Sequence, residues 1–157
     1  MKFPERVYTT EEVEKARRLV EKGYRHRLTV EGSTDFKQKV KKALNLVKTA
    51  RYHDFLRTYI RSIVEIDGLS QLREGKAAIW ANKYTVNDPV EAAGFLVQKA
   101  FQMKNFLEGK IYYGGEAEKR AVQKRIEFLQ ELKKSGNTRI KRRCEESLKR
   151  WTETIYF

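Results

Sequence analysis

The sequence predicts an α+β fold, a single domain in which a small mixed sheet packs on helices. Three short runs of strand-forming residues alternate with longer stretches that have the spacing of amphipathic helices. One helical stretch, residues 89–108, is apolar on most of its sides, which is typical of a buried central helix. The length of 157 residues, of which 40% are apolar, suits one hydrophobic core. We divide the domain into an N-terminal helix (1–23), a sheet-containing core (24–109) and a C-terminal helical part (110–157).

The N-terminal part begins with a predicted helix over residues 10–22. Thr9 and Glu12 have the spacing of a capping box, and Gly23 can end the helix because glycine readily adopts a left-handed conformation. Residues 24–31 alternate in polarity and are rich in strand formers, so they form the first predicted strand.

Helical spacing resumes at Ser33 or Thr34, either of which can cap a second helix that extends to about residue 50. Residues 54–61 are predicted to form a short third helix. Two more strands are predicted at residues 62–67 and 77–86, and the glycine-containing segment between them is predicted to be a loop or an irregular hairpin.

The central helix has a strong start signal. Asp88 is the predicted cap, Pro89 occupies the first helical position, and Glu91 follows three residues after the cap. Two further helices are predicted at residues 116–134 and 138–152, separated by a glycine. The predicted order of elements is therefore α-β-α-α-β-β-α-α-α.

Polar residues on the central helix require an explanation, because a buried polar group without a partner costs about 1–3 kcal/mol. Gln98 and Gln102 are four residues apart and share one face of the helix. Zinc peptidases carry H-E-x-x-H with this spacing, where two imidazoles one turn apart hold the metal and the carboxylate activates its water. Here the segment reads Gln98-Lys99-Ala100-Phe101-Gln102.

At these residues the chain resembles the small zincin-type metallopeptidase domains. The resemblance extends over about residues 28–151, where a strand, a long helix and two further strands precede the central helix, and a Gly-rich turn and another helix follow it. In active zincins that following helix carries an acidic third zinc ligand in an E-x-x-A context, and Glu118-Lys119-Arg120-Ala121 is similar to it. The resemblance implies a zincin-like fold.

The residues needed for zinc chemistry are absent, so the resemblance implies an inactive domain without a metal or another cofactor. Glutamine is a weak oxygen donor in place of imidazole, and an ammonium at Lys99 cannot act as a carboxylate base. We expect Lys99 to supply the missing positive charge by pairing with Glu118, with Gln98 and Gln102 hydrogen-bonded around that pair. The alternative is that Lys99 and Gln102 lie on an ordinary solvated stripe and Glu118 lies on the surface.

In zincins an edge strand beside the central helix pairs with an extended peptide. The matching segment here is residues 78–83, with Trp80 as a possible contact. The resemblance therefore also implies a peptide or protein partner, and the domain is expected to act by binding alone.

Other residues that could act in catalysis or metal binding are scattered along the sequence. His26 and His53 have no ligand-like spacing, and Cys144 is the only cysteine, so structural or surface roles are expected for all three and no metal site is predicted. Glu65 and Asp67 lie two apart on a predicted strand and share a face, which supports a small metal-dependent nuclease as an alternative.

The positive charge is concentrated in two segments. The chain has 34 Lys and Arg residues against 21 Asp and Glu, a net charge of +13. Residues 37–51 contain six basic and no acidic residues, and residues 119–150 contain twelve basic and four acidic residues. Phosphate backbones bind such patches through counterion release, so a nucleic acid or an acidic protein is a candidate partner. The predicted anion contacts are Arg120, Lys124, Arg139, Arg142 and Arg143.

The charge has a second interpretation, a solvated and ion-paired surface like that of a heat-tolerant protein. No apolar run approaches the ~20 residues of a membrane helix, and the first residues contain no apolar stretch, so we expect a soluble, cytoplasmic protein without a membrane partner. The sequence thus predicts a non-catalytic, zincin-like binding domain with a basic face, and a nucleic-acid-binding protein is the alternative.

Overall fold

The computed structural model of the protein describes residues 2–156, which form six α-helices and a four-stranded sheet. The helices are α1 (Thr10–Glu21), α2 (Thr34–Thr49), α3 (His53–Tyr59), α4 (Pro89–Leu107), α5 (Gly115–Ser135) and α6 (Thr138–Tyr156). The strands are β1 (Thr29–Glu31), β2 (Ser62–Glu65), β3 (Gln71–Arg73) and β4 (Ala78–Ala81), and a single 3-10 turn at Glu74–Lys76 joins the last two. This architecture confirms the predicted α+β fold.

The sheet has the strand order β1-β2-β4-β3. The first three of these strands run parallel, and β3 runs antiparallel to β4 at one edge. Val30, Ile63, Ile79 and Leu72 form one row across the sheet and pack in the hydrophobic core. The next position along β4, Trp80, belongs to the opposite face and is partly exposed. One face of the sheet therefore contributes to the core, and the other is partly open.

All three predicted strands are shorter in the structure, since the one predicted over residues 62–67 is Ser62–Glu65 and the one predicted over 77–86 is Ala78–Ala81. The strand predicted over residues 24–31 is reduced to β1, because Leu28 has a left-handed backbone (φ 37°) that interrupts an extended conformation. The segment predicted as a loop or an irregular hairpin is a hairpin, in which β3 pairs with β4 around the 3-10 turn. Gly75 lies against the Tyr8 ring in that turn, and a Cβ there would displace the ring.

The predicted helix starts are confirmed at three helices. Thr9 and Glu12 form the capping box of α1, and the Ser33 hydroxyl caps α2. The Asp88 side chain caps α4, and Pro89 occupies its first position. Side-chain oxygens thus satisfy backbone amides that have no partner inside these helices.

The central position predicted for α4 is confirmed. It packs against α2, α3, α5 and α6 and also contacts β3. Its residues Leu96, Ala100 and Met103 are completely buried. Of the helices within residues 2–156, none combines the length and the apolar composition needed to cross a lipid bilayer.

The structure contradicts the prediction that residues 78–83 form an edge strand for a peptide. β4 lies between β2 and β3 and is hydrogen-bonded to both, so it has no free edge. Trp80 instead lies under the guanidinium of Arg73, whose central carbon is 4.3 Å from the centre of the indole ring. The edges of the sheet belong to β1 and β3.

Candidate functional site

A polar cavity of about 190 Å³ lies where β3, α4 and the beginning of α5 meet. Lys99 and Gln102 come from α4 and Glu118 comes from α5, so three of the four residues that the sequence comparison with a zinc motif singled out line one cavity. The other lining residues lie on β3, in the turns beside it and in the connection between α4 and α5: Ser70, Gln71, Leu72, Glu74, Tyr112 and Tyr113.

Gln102 fixes one wall of this cavity. Its Oε1 accepts a hydrogen bond from Lys99 Nζ (2.9 Å), and its Nε2 donates to the carbonyl of Tyr112 (3.0 Å). The residue is 4% exposed, which contradicts the alternative that it lies on a solvated stripe, whereas Glu118 is exposed, as that alternative predicted. The buried amide has a partner at each end and thereby attaches the connection after α4 to the helix.

Lys99 and Glu118 share the cavity, but the predicted direct ion pair is not formed. Within residues 2–156, Lys99 Nζ donates to Gln102, and Glu118 Oε1 accepts the backbone amide of Gly114 (3.4 Å). Burial lowers the pKa of Lys99, and the negative charge of Glu118 partly opposes that shift. The two charges therefore interact through the cavity and not through a hydrogen bond.

Gln98 belongs to a separate polar cluster. Its Oε1 accepts a hydrogen bond from Arg125 Nη1 (3.1 Å), so it does not surround Lys99 as predicted. Although Gln98 and Gln102 are four residues apart on α4, the first faces α5 and the second faces the connection that precedes α5. The motif positions are thus divided between two environments.

Arg125 and Glu91 form the centre of that second cluster, which sequence reasoning missed. The guanidinium of Arg125 donates to the Glu91 carbonyl (2.9 Å) and carboxylate (3.2 Å), and it lies 4.0 Å from the centre of the Trp151 ring. The Glu91 carboxylate also accepts hydrogen bonds from Ser147 (2.5 Å), Trp151 (3.3 Å) and Arg150. This network joins α4, α5 and α6.

The geometry of the network explains two sequence features. A Cβ at Gly94 would lie 2.7 Å from Arg125 Nε, so a glycine is needed where the guanidinium crosses α4. Glu91 does not complete a capping box, because its carboxylate is turned toward α5 and α6. Burial raises the pKa of Glu91, but the Ser147 hydrogen bond and the Arg125 charge outweigh it and leave that pKa below its usual range. Burial lowers the pKa of Arg125 to about 10.

The donor set of the cavity does not fit a zinc ion. Among residues 2–156 it contains an ammonium, two amides, a hydroxyl, two phenols and the carboxylates of Glu74 and Glu118, without an imidazole or a thiolate. Within residues 2–156, no group of three or more His, Cys, Asp or Glu side chains is placed to hold a metal. Burial, with Glu74 beside it, raises the pKa of Tyr112 to about 12, so this phenol is a neutral hydrogen-bonding group.

No family model, curated protein or solved structure matches this chain.

Three of the predicted anion contacts have free charges. Arg120, Arg139 and Arg142 are exposed, and they form no ion pair with any residue between 2 and 156. Each therefore keeps its full positive charge toward solvent. These residues lie near the start of α5 and in the first turns of α6.

The other two predicted contacts are engaged within the fold. Lys124 pairs with Glu127 (3.3 Å), and its ammonium lies over three aromatic rings. Arg143 pairs with Asp88 and with Glu146 (2.5 Å). Their charges are partly neutralised, so they are weaker candidates for an anion.

The carboxylates of the nuclease alternative do not form a pair. β2 ends at Glu65, so Asp67 lies beyond the strand in an exposed turn and the two residues do not share a strand face. Glu65 Oε1 accepts the backbone amide of Ser33 (2.8 Å) and thereby supports the start of α2. This arrangement offers no two-carboxylate site for a magnesium ion.

The buried histidine and the cysteine occupy structural positions. His26 is 1% exposed between the rings of Phe3 and Tyr24, and neither of its ring nitrogens has a hydrogen-bond partner. Cys144 is completely buried in α6, and burial raises the pKa of its thiol to about 11. An un-ionised, inaccessible thiol is a poor nucleophile.

We expect the coupling free energy between Lys99 and Glu118 to be below about 0.5 kcal/mol, because their charged groups do not touch. Urea unfolding of Lys99→Met, Glu118→Gln and the double variant measures it. A parallel cycle with Gln102→Met, which removes a direct hydrogen bond to Lys99, should give about 1 kcal/mol. A coupling above about 1 kcal/mol for Lys99 and Glu118 contradicts the observed geometry.

Proposed function

We propose that the protein is a zincin-like domain without hydrolytic activity that binds an extended polypeptide beside β3, and that its basic face contacts an anionic partner. The observation that carries the proposal is the position of β3. It is an edge strand, and its residues Gln71 and Leu72 line the cavity that contains Lys99, Gln102 and Glu118.

The order and placement of the elements support the zincin-like part of the proposal. A strand, a long helix and three further strands precede α4, and α5 brings Glu118 to the cavity that Lys99 and Gln102 line. This is the relation that the third acidic ligand has to the helical motif in zincins. This placement supports the proposal that the cavity corresponds to a zincin site with different side chains.

The side chains support binding without hydrolysis. Peptide hydrolysis at a zincin site needs a metal-bound water and a carboxylate that takes a proton from it. The neutral amide of Gln102 is a poor zinc ligand, and the ammonium of Lys99 cannot accept a proton while it is charged. Gln98 accepts a hydrogen bond from Arg125 and faces away from the cavity. The hydrogen-bond donors and acceptors of the cavity can therefore bind a peptide without hydrolysing it.

Exposed apolar side chains occur in the cavity lining and next to it in the sequence, which favours a polypeptide partner. Tyr113 lines the cavity and is 66% exposed, while Leu69 is 84% exposed and directly precedes the lining residue Ser70. Ile111 is also exposed and precedes Tyr112. Clustered apolar side chains on a surface are typical of interaction sites. An extended segment can add to the edge of β3 while its side chains contact this rim.

Peptides selected from a displayed random library against the whole chain test this site. We expect Tyr113→Ser to weaken the selected peptides by about tenfold in fluorescence anisotropy, since truncating an interface tyrosine often costs more than 1 kcal/mol. Tyr84→Ser is the matched control, because Tyr84 is similarly exposed (77%) and does not line the cavity.

The same peptides test the absence of hydrolysis. We expect mass spectrometry to find them intact after long incubation with the protein and added zinc. Cleavage that depends on the protein contradicts the non-hydrolytic assignment. Equal weakening by Tyr113→Ser and Tyr84→Ser contradicts the location of the site.

A further inference from the structure

A groove of about 550 Å³ lies between α2 and the beginning of α6. Lys42 of α2 lines one side, and Arg139 and Arg143 of α6 line the other. The groove shares no lining residue with the polar cavity. The two basic segments of the sequence, residues 37–51 and 119–150, therefore meet at one surface.

The positive charge in this groove is only partly neutralised. Arg143 pairs with Asp88, which also lines the groove and caps α4. Lys42 and Arg139 are exposed and have no ion-pair partner among residues 2–156. Their charges are available to a ligand.

Further exposed cations lie close to these two on the same helices. Lys41 directly precedes Lys42 on α2, and Arg142 lies about one turn after Arg139 on α6. Both neighbours are exposed and, like the first two, unpaired within residues 2–156. Lys42 on one side of the groove and Arg139 on the other suit a ligand that repeats its negative charge along its length.

We propose that this groove binds the phosphate backbone of a duplex nucleic acid, with Lys42 and Arg139 as central contacts. Among residues 2–156 no aromatic side chain lines the groove, so unpaired bases have no ring there to stack on, whereas backbone phosphates need only cations. The net charge of +13 attracts such a polyanion over a longer range. The inference rests on the basic face of the proposed function and is independent of the polypeptide site.

Fluorescence anisotropy with labelled 20-base-pair DNA and RNA duplexes, at several salt concentrations, tests the groove. We expect Lys42→Glu/Arg139→Glu to weaken duplex binding by at least about tenfold at low salt. We also expect a salt dependence shallower by about two phosphate contacts, since each contact contributes ~0.9 to the slope for DNA. Lys22→Glu/Arg27→Glu is the matched control, because it changes the net charge equally at exposed residues outside the groove.

The outcomes separate the possibilities. A loss confined to the groove variant supports the site, and the duplex that is bound more tightly identifies the nucleic acid. Equal losses in both double variants indicate attraction by overall charge and overturn the assignment. Tighter binding of a single strand of the same length overturns the choice of a duplex, and no binding by the unaltered protein at low salt overturns the proposal. Peptide binding at the β3 cavity is unaffected by the groove substitutions, so failure of one site is distinguishable from failure of the other.

Discussion

Replacing Glu91 by alanine is expected to lower the free energy of unfolding by about 3–5 kcal/mol. The substitution leaves the buried Arg125 guanidinium with only the Gln98 amide oxygen and a main-chain carbonyl as acceptors. It also removes the acceptor of Ser147 and Trp151, which attach α6 to α4. Urea unfolding followed by circular dichroism measures the change.

Glu108→Ala is the matched control for this prediction. Glu108 pairs with Lys104 and Lys110 near the surface, where loss of an ion pair costs less than about 1 kcal/mol. Glu91→Leu combined with Arg125→Met removes both buried charges and should recover part of the lost stability. A cost for Glu91→Ala no larger than that for Glu108→Ala shows that water replaces the carboxylate, contrary to the burial of Arg125.

Most of the fold is predictable because its elements have local signals. The capping signals at Thr9 and Asp88 consist of the cap residue and the first three residues of the helix that follows it. Helical periodicity extends over several turns. β3 has only three residues, too few to show alternation, so its pairing with β4 depends on tertiary context. The left-handed conformation of Leu28 has no residue-type signal either, because leucine rarely adopts it.

The candidate site is predictable only in part. Helical spacing places Gln98 and Gln102 on one face of α4, but the packing of α4 against its neighbours decides that Gln98 meets Arg125 and Gln102 meets Tyr112. In an isolated helix Arg125 resembles any solvated cation of α5. The space that Gly94 leaves for its guanidinium becomes visible only when the two helices are docked. Periodicity identifies a buried face and not the partner on the other side.

Lowering the pH from 7 to 5 is expected to cost the protein about 2 kcal/mol of stability through His26 alone. Burial, followed by the charges of Arg61 and Arg57, lowers the pKa of His26 from 6.5 to about 4. Between these two values the unfolded chain binds a proton that the folded protein does not. The stability from neutral His26 is therefore fully present above about pH 6.5 and is lost as the pH falls toward 4.

His26→Phe separates this effect from the titration of the carboxylates. The variant keeps an aromatic ring between Phe3 and Tyr24 and cannot be protonated, so its loss of stability between pH 7 and 5 should be about 2 kcal/mol smaller. His53→Phe is the control, and a smaller difference is expected because its ring is partly exposed and water can solvate its charged form. Equal pH dependence in the unaltered protein and in His26→Phe means that water reaches the His26 ring. Since Phe3 covers that ring, the comparison measures how firmly the N-terminal segment is closed over the core.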